Sequence, residues 1–254
     1  MPIGYYELSN ATLAKIPKSK HKNVCQVRLG DAVFYVKLSS FAPTPYVLAN
    51  EYICAELARH VRLPIPPHFI ARMRTSGEAA FCSLNFNLKG IDLPPIDAAA
   101  AVKEEPDVCT GVLIFDIWIG NTDRHGKNVA FQAERPPNRI GIIDHSHVPF
   151  FDPDWASFQD GKLGITGERG NRHALLDFLH TDTYFDKWIR RIQTVPDEYI
   201  SEILTDAEEL GIPPVFRRDA YDYFRRRRDG LRDLIGAHKA EFTAIAQWGL
   251  LWSV

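Results

Sequence analysis

Asp116-Ile117-Trp118-Ile119-Gly120-Asn121-Thr122-Asp123-Arg124-His125-Gly126-Lys127-Asn128, continued to Ile142-Ile143-Asp144-His145, is the stretch whose reading decides the fold. It sets Asp123, Asn128 and Asp144 among apolar runs. After Asn128 an alternating run, Val129 to Phe131, leads into Glu134-Arg135-Pro136-Pro137-Asn138. A second apolar run, Ile140 to Ile143, then ends on Asp144. Two such runs around a Pro-Pro-Asn turn predict a β-hairpin. A hairpin brings its ends together, so Asn128 and Asp144 would sit side by side with Asp123 one loop away. Three oxygen ligands converging in this way suit a magnesium ion, a hard cation that takes oxygen donors and leaves positions open for phosphates.

Upstream, Val108, Val112, Phe115, Trp118 and Ile119 mark an apolar helix from about Asp107 to Ile119. Gly120 ends it, as a glycine just past a helix C-terminus commonly does. Asp116 is the lone acid inside and reads as a buried, hydrogen-bonded carboxylate that braces the following loop.

Nearer the N-terminus, Cys25–Leu29 and Ala32–Leu38 read as strands around the short turn Gly30-Asp31. Lys37 alternates with apolar neighbours, so it is either an edge-strand charge or a cation buried for a purpose. The helix expected over 47–62 carries Leu48, Tyr52, Ala55, Leu57, Ala58 and Val61 at roughly 3.6-residue spacing, and Pro64 and Pro66 stop it. Glu51 falls in its first turns. It could serve there as a favourable charge near a helix N-terminus or as the partner of Lys37. In protein kinases a strand lysine holds the nucleotide phosphates and a helix glutamate positions it, and a catalytic-loop Asp is followed at this same spacing by a metal-binding Asn. Lys37, Glu51, Asp123 and Asn128 stand in that order.

The basic stretch Lys15–Asn23 reads as a solvated strand connection or as a loop over phosphates, without the glycines usual in the latter. Phe69–Ala71 and Ala80–Leu84 flank a turn at Arg74–Glu78, and Asn85–Gly90 with Pro94-Pro95 reads as a connection between lobes, whose backbone could bond a nucleotide base. Residues 152–173 carry Gly161, Gly164, Gly167 and Gly170 and read as a long irregular segment, placed like an activation or substrate loop. Helices are expected over Asp182–Ile192, Pro196–Leu210 and Asp219–His238. Arg225–Arg228 in the last of them span a full turn, so they read as a solvated face with acidic partners. His125, His145 and His147 share no helix or strand spacing, and a transition-metal site is not expected from them.

Composition narrows the classes. A net charge of −2 argues against a dedicated nucleic-acid-binding protein, and no apolar stretch reaches the ~18 residues of a membrane span. The N-terminus lacks a basic segment followed by an apolar one, so no secretory signal is read there. The four cysteines are far apart, which reads as reduced thiols in a cytoplasm rather than a zinc site or disulfide framework. Gly120 to Lys127 is not a P-loop: five residues separate the glycines, Asn128 replaces the magnesium-binding Ser or Thr, and a helix precedes it.

Asn121–Asn128 resembles the catalytic loop of HipA-like kinases, where Asn-x-Asp-x-His-Gly-Lys-Asn is typical. It is more distantly similar to phosphatidylinositol kinases. Asn50-Glu51-Tyr52, Glu56-Leu57-Ala58-Arg59 and Leu63-Pro64-Ile65-Pro66 are also similar to the helix and exit segment of HipA-like proteins, and together the matches cover about residues 30–150. The resemblance implies an α+β, two-lobed protein-kinase-like fold, β-rich over 1–88 and helical over 89–254. It implies a serine/threonine protein kinase using ATP and Mg2+. Asp123 would be the catalytic base or substrate-orienting acid, Asn128 and Asp144 the metal ligands, Lys37 the phosphate-holding cation and Glu51 its orienter. A protein substrate and an antitoxin-like regulator are implied partners. The same ATP site could instead serve a small-molecule or lipid kinase, or a nucleotide-binding regulatory module without turnover. The chain is shorter than full HipA toxins and is expected to lack their additional N-terminal subdomain. Ser19 is the one serine where a self-phosphorylated residue would fall. Asp144 is followed by His-Ser rather than Phe-Gly, so no flipping aromatic is expected.

Overall fold

The computed structural model describes residues 6–9, 13–15, 24–41, 46–85, 95–132, 140–148, 150, 161–166 and 172–252. The Lys15–Asn23 loop from residue 16 onward, Ser19, the Glu134–Asn138 turn, most of the 85–95 connection and the 88/89 lobe boundary lie outside these residues.

Strands β1 (Tyr6–Leu8), β2 (Leu13–Lys15), β3 (Val24–Leu29), β4 (Ala32–Leu38), β5 (His68–Met73) and β6 (Ala79–Leu84) form one sheet in the order β1-β5-β6-β4-β3-β2. Among the described residues, β1 and β5 are the parallel pair of the sheet, and its other pairs are antiparallel. β3 and β4 join through Gly30-Asp31, and Gly30 takes φ +59°, the positive value that primed hairpin turns require. Lys37 pairs with Val24 on one side and Phe81 on the other, so its strand is internal and the edge reading fails.

Helix α1 (Val47–His60) crosses between the sheet and the helical half. Its Leu48, Ile53 and Leu57 join one continuous core with Ile70 and Phe81 of the sheet and Phe115, Trp118 and Ile119 of the helical half. Full burial of each such side chain stabilises by about 1.5–3 kcal/mol relative to exposure. A smaller cluster lies within the sheet, around Val27, Val36, Met73 and Cys82. Cys25, Cys54, Cys82 and Cys109 are free thiols.

Helix α2 (Ala98–Glu104), which the periodicity did not announce, is capped by the Asp97 carboxylate accepting from Ala100 N at 3.0 Å. Helix α3 (Pro106–Ile119) starts on a proline at its first position and stops at Gly120, which takes the left-handed φ of +69°. It is buried all round from Cys109 onward, which marks a core helix. Gly111 lies against the Trp188 indole, which a Cβ there would overlap. Strands β7 (Val129–Phe131) and β8 (Ile140–Ile142) form the expected hairpin, registering Val129 with Ile142.

The remaining helices are α4 (Phe185–Gln193), α5 (Asp197–Glu208), α6 (Pro214–Asp229) and α7 (Leu231–Ala237). The single helix expected over Asp219–His238 is two, parted at Gly230 and starting earlier, at Pro214. The solvated reading of Arg225–Arg228 also needs correction. Arg225 and Arg226 are exposed, but Arg227 and Arg228 are buried. Arg227 donates to the carbonyls of Ile117, Trp118, Lys162 and Leu163, and Arg228 to Val195 O and Asp197. Arg227 therefore caps the C-terminal end of α3, where a cation is favoured by the helix dipole. Among the described residues no helix is long and apolar enough to cross a membrane.

Candidate functional site

Strand β4 delivers Lys37 and helix α1 delivers Glu51, because one lies on the inward side of the strand and the other on the sheet-facing side of the helix. Lys37 Nζ donates to Glu51 Oε1 at 2.5 Å and to Asp144 Oδ1 at 2.9 Å, across 107 residues of chain. Glu51 is almost fully buried and Asp144 about one-third exposed. Burial alone would lower the Lys37 pKa, but the two carboxylates hold it above its ordinary value. Burial pushes Glu51 and Asp144 up, and Lys37 more than reverses this, so both stay below the usual carboxylate range. All three groups are charged at neutral pH.

Asp144 follows β8 with φ +60°, a left-handed value uncommon outside glycine that clusters at functional positions. Ser146 Oγ donates to the same Asp144 Oδ1 at 2.7 Å. His145 N donates to Glu51 Oε1 at 3.1 Å, so β8 and α1 are tied at the site. Asn50, beside Glu51, donates from Nδ2 to Ser146 O at 3.2 Å. Sequence reading passed over Asn50 as a site residue. Its signal was helical spacing: it stands three and four positions before buried Ile53 and Cys54.

Below this mouth lies a second, closed cluster. Arg124 forks onto Asp116, Nε to Oδ2 at 2.7 Å and Nη2 to Oδ1 at 2.9 Å, with both side chains fully buried. Its Nη1 donates to Asn128 O at 3.0 Å and Ile143 O at 2.6 Å. One guanidinium thus joins the two hairpin ends that carry Asn128 and Asp144. Asn121 donates to Asp116 Oδ1 and accepts from Asp123 N, which fixes the backbone of Asp123. Asp116 is the bracing carboxylate expected. Burial raises its pKa, but Arg124 and His173 bring it well below the usual range. His173 was not foreseen, because an irregular segment offers no period to read.

Asp123 is about one-third exposed, and His125 Nε2 and His147 Nε2 each lie 3.8 Å from its Oδ2. His145 is not with them: it is buried against Glu51 and the Phe115 ring. Asn128 donates its amide nitrogen to Asp123 O at 3.0 Å, so Oδ1 is the atom of this side chain that could face a cation. The folded chain therefore gathers Lys37, Glu51 and Asp144 in direct contact and links Asn128 to Asp123 beside them. Among the described residues no group of three or more His, Cys, Asp or Glu forms a self-sufficient metal cluster. A magnesium ion here would be held by Asn128 and Asp144, with waters and nucleotide phosphates completing its shell.

A family model described as HipA-like kinase matches residues 19–206. No curated protein matches the sequence. Among solved structures the chain is similar to the Helicobacter pylori proinflammatory kinase CtkA, with a TM-score of 0.59 and 12% identity over 94% of this chain and 99% of that one. That likeness concerns the fold, and it agrees with an α+β, two-lobed kinase-like architecture. HipA from the Shewanella oneidensis MR-1 toxin–antitoxin system, solved with HipB and operator DNA, aligns at a TM-score of 0.37 and 14% identity over 95% of this chain and 63% of that one, too low to argue from. The match over residues 19–206, which takes in β3 to β6, helix α1, the Asp123 loop and the hairpin, places this chain in the HipA-like kinase family.

Proposed function

We propose that the protein transfers the γ-phosphoryl group of ATP, with magnesium, to a serine or threonine hydroxyl of another protein. The observation that carries this reading is the Lys37 ammonium held between Glu51 and Asp144 at the end of the hairpin that begins at Asn128. Lys37 holds the nucleotide phosphates, and Glu51 keeps it charged and aimed. Asn128 Oδ1 and Asp144 are hard oxygen donors, and Lys37 and Ser146 both bond Oδ1 of Asp144, leaving its second oxygen for a cation. Two protein ligands suit magnesium, which keeps several waters and takes the rest of its shell from phosphates. When bound, the ion neutralises charge on the transferring group. Asp123, with its backbone pinned by Asn121 and its carboxylate partly exposed, orients the acceptor hydroxyl and receives its proton. Phosphoryl transfer asks mainly for positioning and charge stabilisation, and this set supplies both.

The four free thiols fit a cytoplasmic site of action. Family membership also makes a protein regulator, antitoxin-like in manner, part of the proposal. The test is label transfer from radioactive ATP into a cell lysate by the wild type, Asp123→Asn and Asp144→Asn, followed by phosphoamino-acid analysis. Labelled phosphoserine or phosphothreonine from the wild type alone is expected. Label confined to lipid or small molecules would replace the acceptor class. Calorimetric ATP binding without any transfer would make the protein a regulatory module.

A further inference from the structure

The segment before α4 is not a free loop where it is described. His238 Nε2 bonds Gly161 O at 2.7 Å, Arg227 Nη1 takes Lys162 O at 3.0 Å, and Thr166 bridges Arg172. His173 N donates to Ile165 O at 2.8 Å, and Ala174 N donates to Arg124 O at 2.8 Å. The segment therefore meets the catalytic-loop backbone directly, one residue past Asp123.

His173 makes the deepest of these contacts. Its ring is buried, and Leu175 N donates to Nδ1 at 3.2 Å. A nitrogen that accepts carries no proton, so the proton sits on Nε2. Nε2 lies 3.0 Å from Asp116 Oδ2 and donates to it. Asp116 then has its full complement of donors: Asn121 and Arg124 on Oδ1, Arg124 and His173 on Oδ2. The same carboxylate sets Asn121, which holds Asp123 N, and Arg124, which joins Asn128 to Ile143.

We infer that His173 is a positioning residue for phosphoryl transfer: through its Nε2–H on Asp116 it ties residues 172–174, and the stretch 161–166 paired with them, to the loop carrying Asp123 and Asn128. This rests on the kinase reading of Asp123 proposed above. Without that donor one Asp116 oxygen loses half its partners inside the core, and the carboxylate that anchors Arg124 and Asn121 is itself held less firmly. Catalytic geometry is steep, since a misplacement of about 1 Å can cost about 100-fold in rate. An interaction acting only on the geometry of transfer lowers kcat and leaves the binding of nucleotide alone.

Two substitutions of nearly equal size separate this role from packing. His173→Gln places an amide nitrogen near the Nε2 position and can still donate to Asp116. His173→Asn places its amide near Nδ1 and falls short of Asp116. Both are compared with wild type and with Asp123→Asn for kcat and for KM with ATP, and their melting temperatures are recorded. The expected result is a kcat roughly 10- to 100-fold below wild type for His173→Asn, with KM for ATP within about twofold, and recovery of most of kcat in His173→Gln. Equal kcat in the two variants, at whatever level, overturns the inference, as does a KM that rises while kcat stays. Asp123→Asn reports separately on the reading beneath it: wild-type turnover by that variant removes the catalytic assignment of Asp123, whatever the His173 variants do.

Discussion

Two acid–base clusters lie within one hairpin of each other and use the same chemistry to opposite ends. In the lower one, Asp116 and Arg124 are fully buried and every polar position has a protein partner. In the upper one, Lys37 is about one-fifth and Asp144 about one-third exposed, and the Lys37 and Ser146 hydrogen bonds to Asp144 all fall on one oxygen. A buried ion pair costs desolvation that only complete hydrogen bonding offsets, so the lower cluster can do nothing further without loss. The upper cluster is under-subscribed and partly exposed, and the proposed phosphate and cation would enter there. Full satisfaction marks the brace, and incomplete satisfaction marks the proposed site.

The contrast can be broken most sharply at Asp116. Asp116→Ala strands Arg124 in the core and should cost about 3–5 kcal/mol in urea unfolding. A loss under about 1 kcal/mol would mean that the lower cluster is not the brace. Arg227→Met should come next, at about 2–3 kcal/mol, because it takes the guanidinium donors away from the Ile117 and Trp118 carbonyls at the end of α3; unfolding of the same kind measures it.

Acid comes third. Burial holds His145 and His173 below the ordinary imidazole pKa, and His60 shifts the same way. The folded chain then binds fewer protons than the unfolded one, so stability is present above about pH 6.5 and falls as pH drops below it, by at most about 1.4 kcal/mol per pH unit for each of the buried rings of His145 and His173. Urea midpoints should decline as pH is lowered from about 7.5 to about 5.5, and a flat series would show that folding lowers the pKa of neither buried ring. The carboxylates act lower. Glu56, whose burial is outweighed by His68 and Arg59, is held at about 2, so its contribution is present above the ordinary glutamate range and fades as pH falls toward that value.

Asp144→Asn should move stability least, within about 1 kcal/mol, because the group is partly solvated and screened. Asparagine also tolerates the left-handed backbone that Asp144 adopts. It should nonetheless abolish phosphate transfer, the inverse of a purely structural pattern. Measuring both on one preparation sharpens the comparison.

Much of this was legible in the sequence. The strand with Lys37, helix α1, helix α3 with its Gly120 stop and the β7–β8 hairpin all announced themselves through period and turn chemistry, whereas the strand's internal place in the sheet did not. Asp116 was readable because an acid inside an apolar helix must find donors. Arg227 was readable in principle: it stands four after Tyr223, three after Phe224 and four before Leu231, all buried, so it occupies a core position of α6. Counting four arginines as one run hid that phase. His173 offered nothing of the kind, since its partner lies 57 residues away and no period links them. Local pattern specifies elements, whereas a contact made by an irregular segment is decided only by the finished packing.

Helix α1 belongs by chain order to the sheet and by packing to the helices, since its buried face joins the core of both. The molecule is therefore keyed together rather than hinged on a detachable cap. A fragment beginning at residue 89 would leave the apolar seat of α1 bare to water and should aggregate, and the intact chain should melt in one transition instead of two.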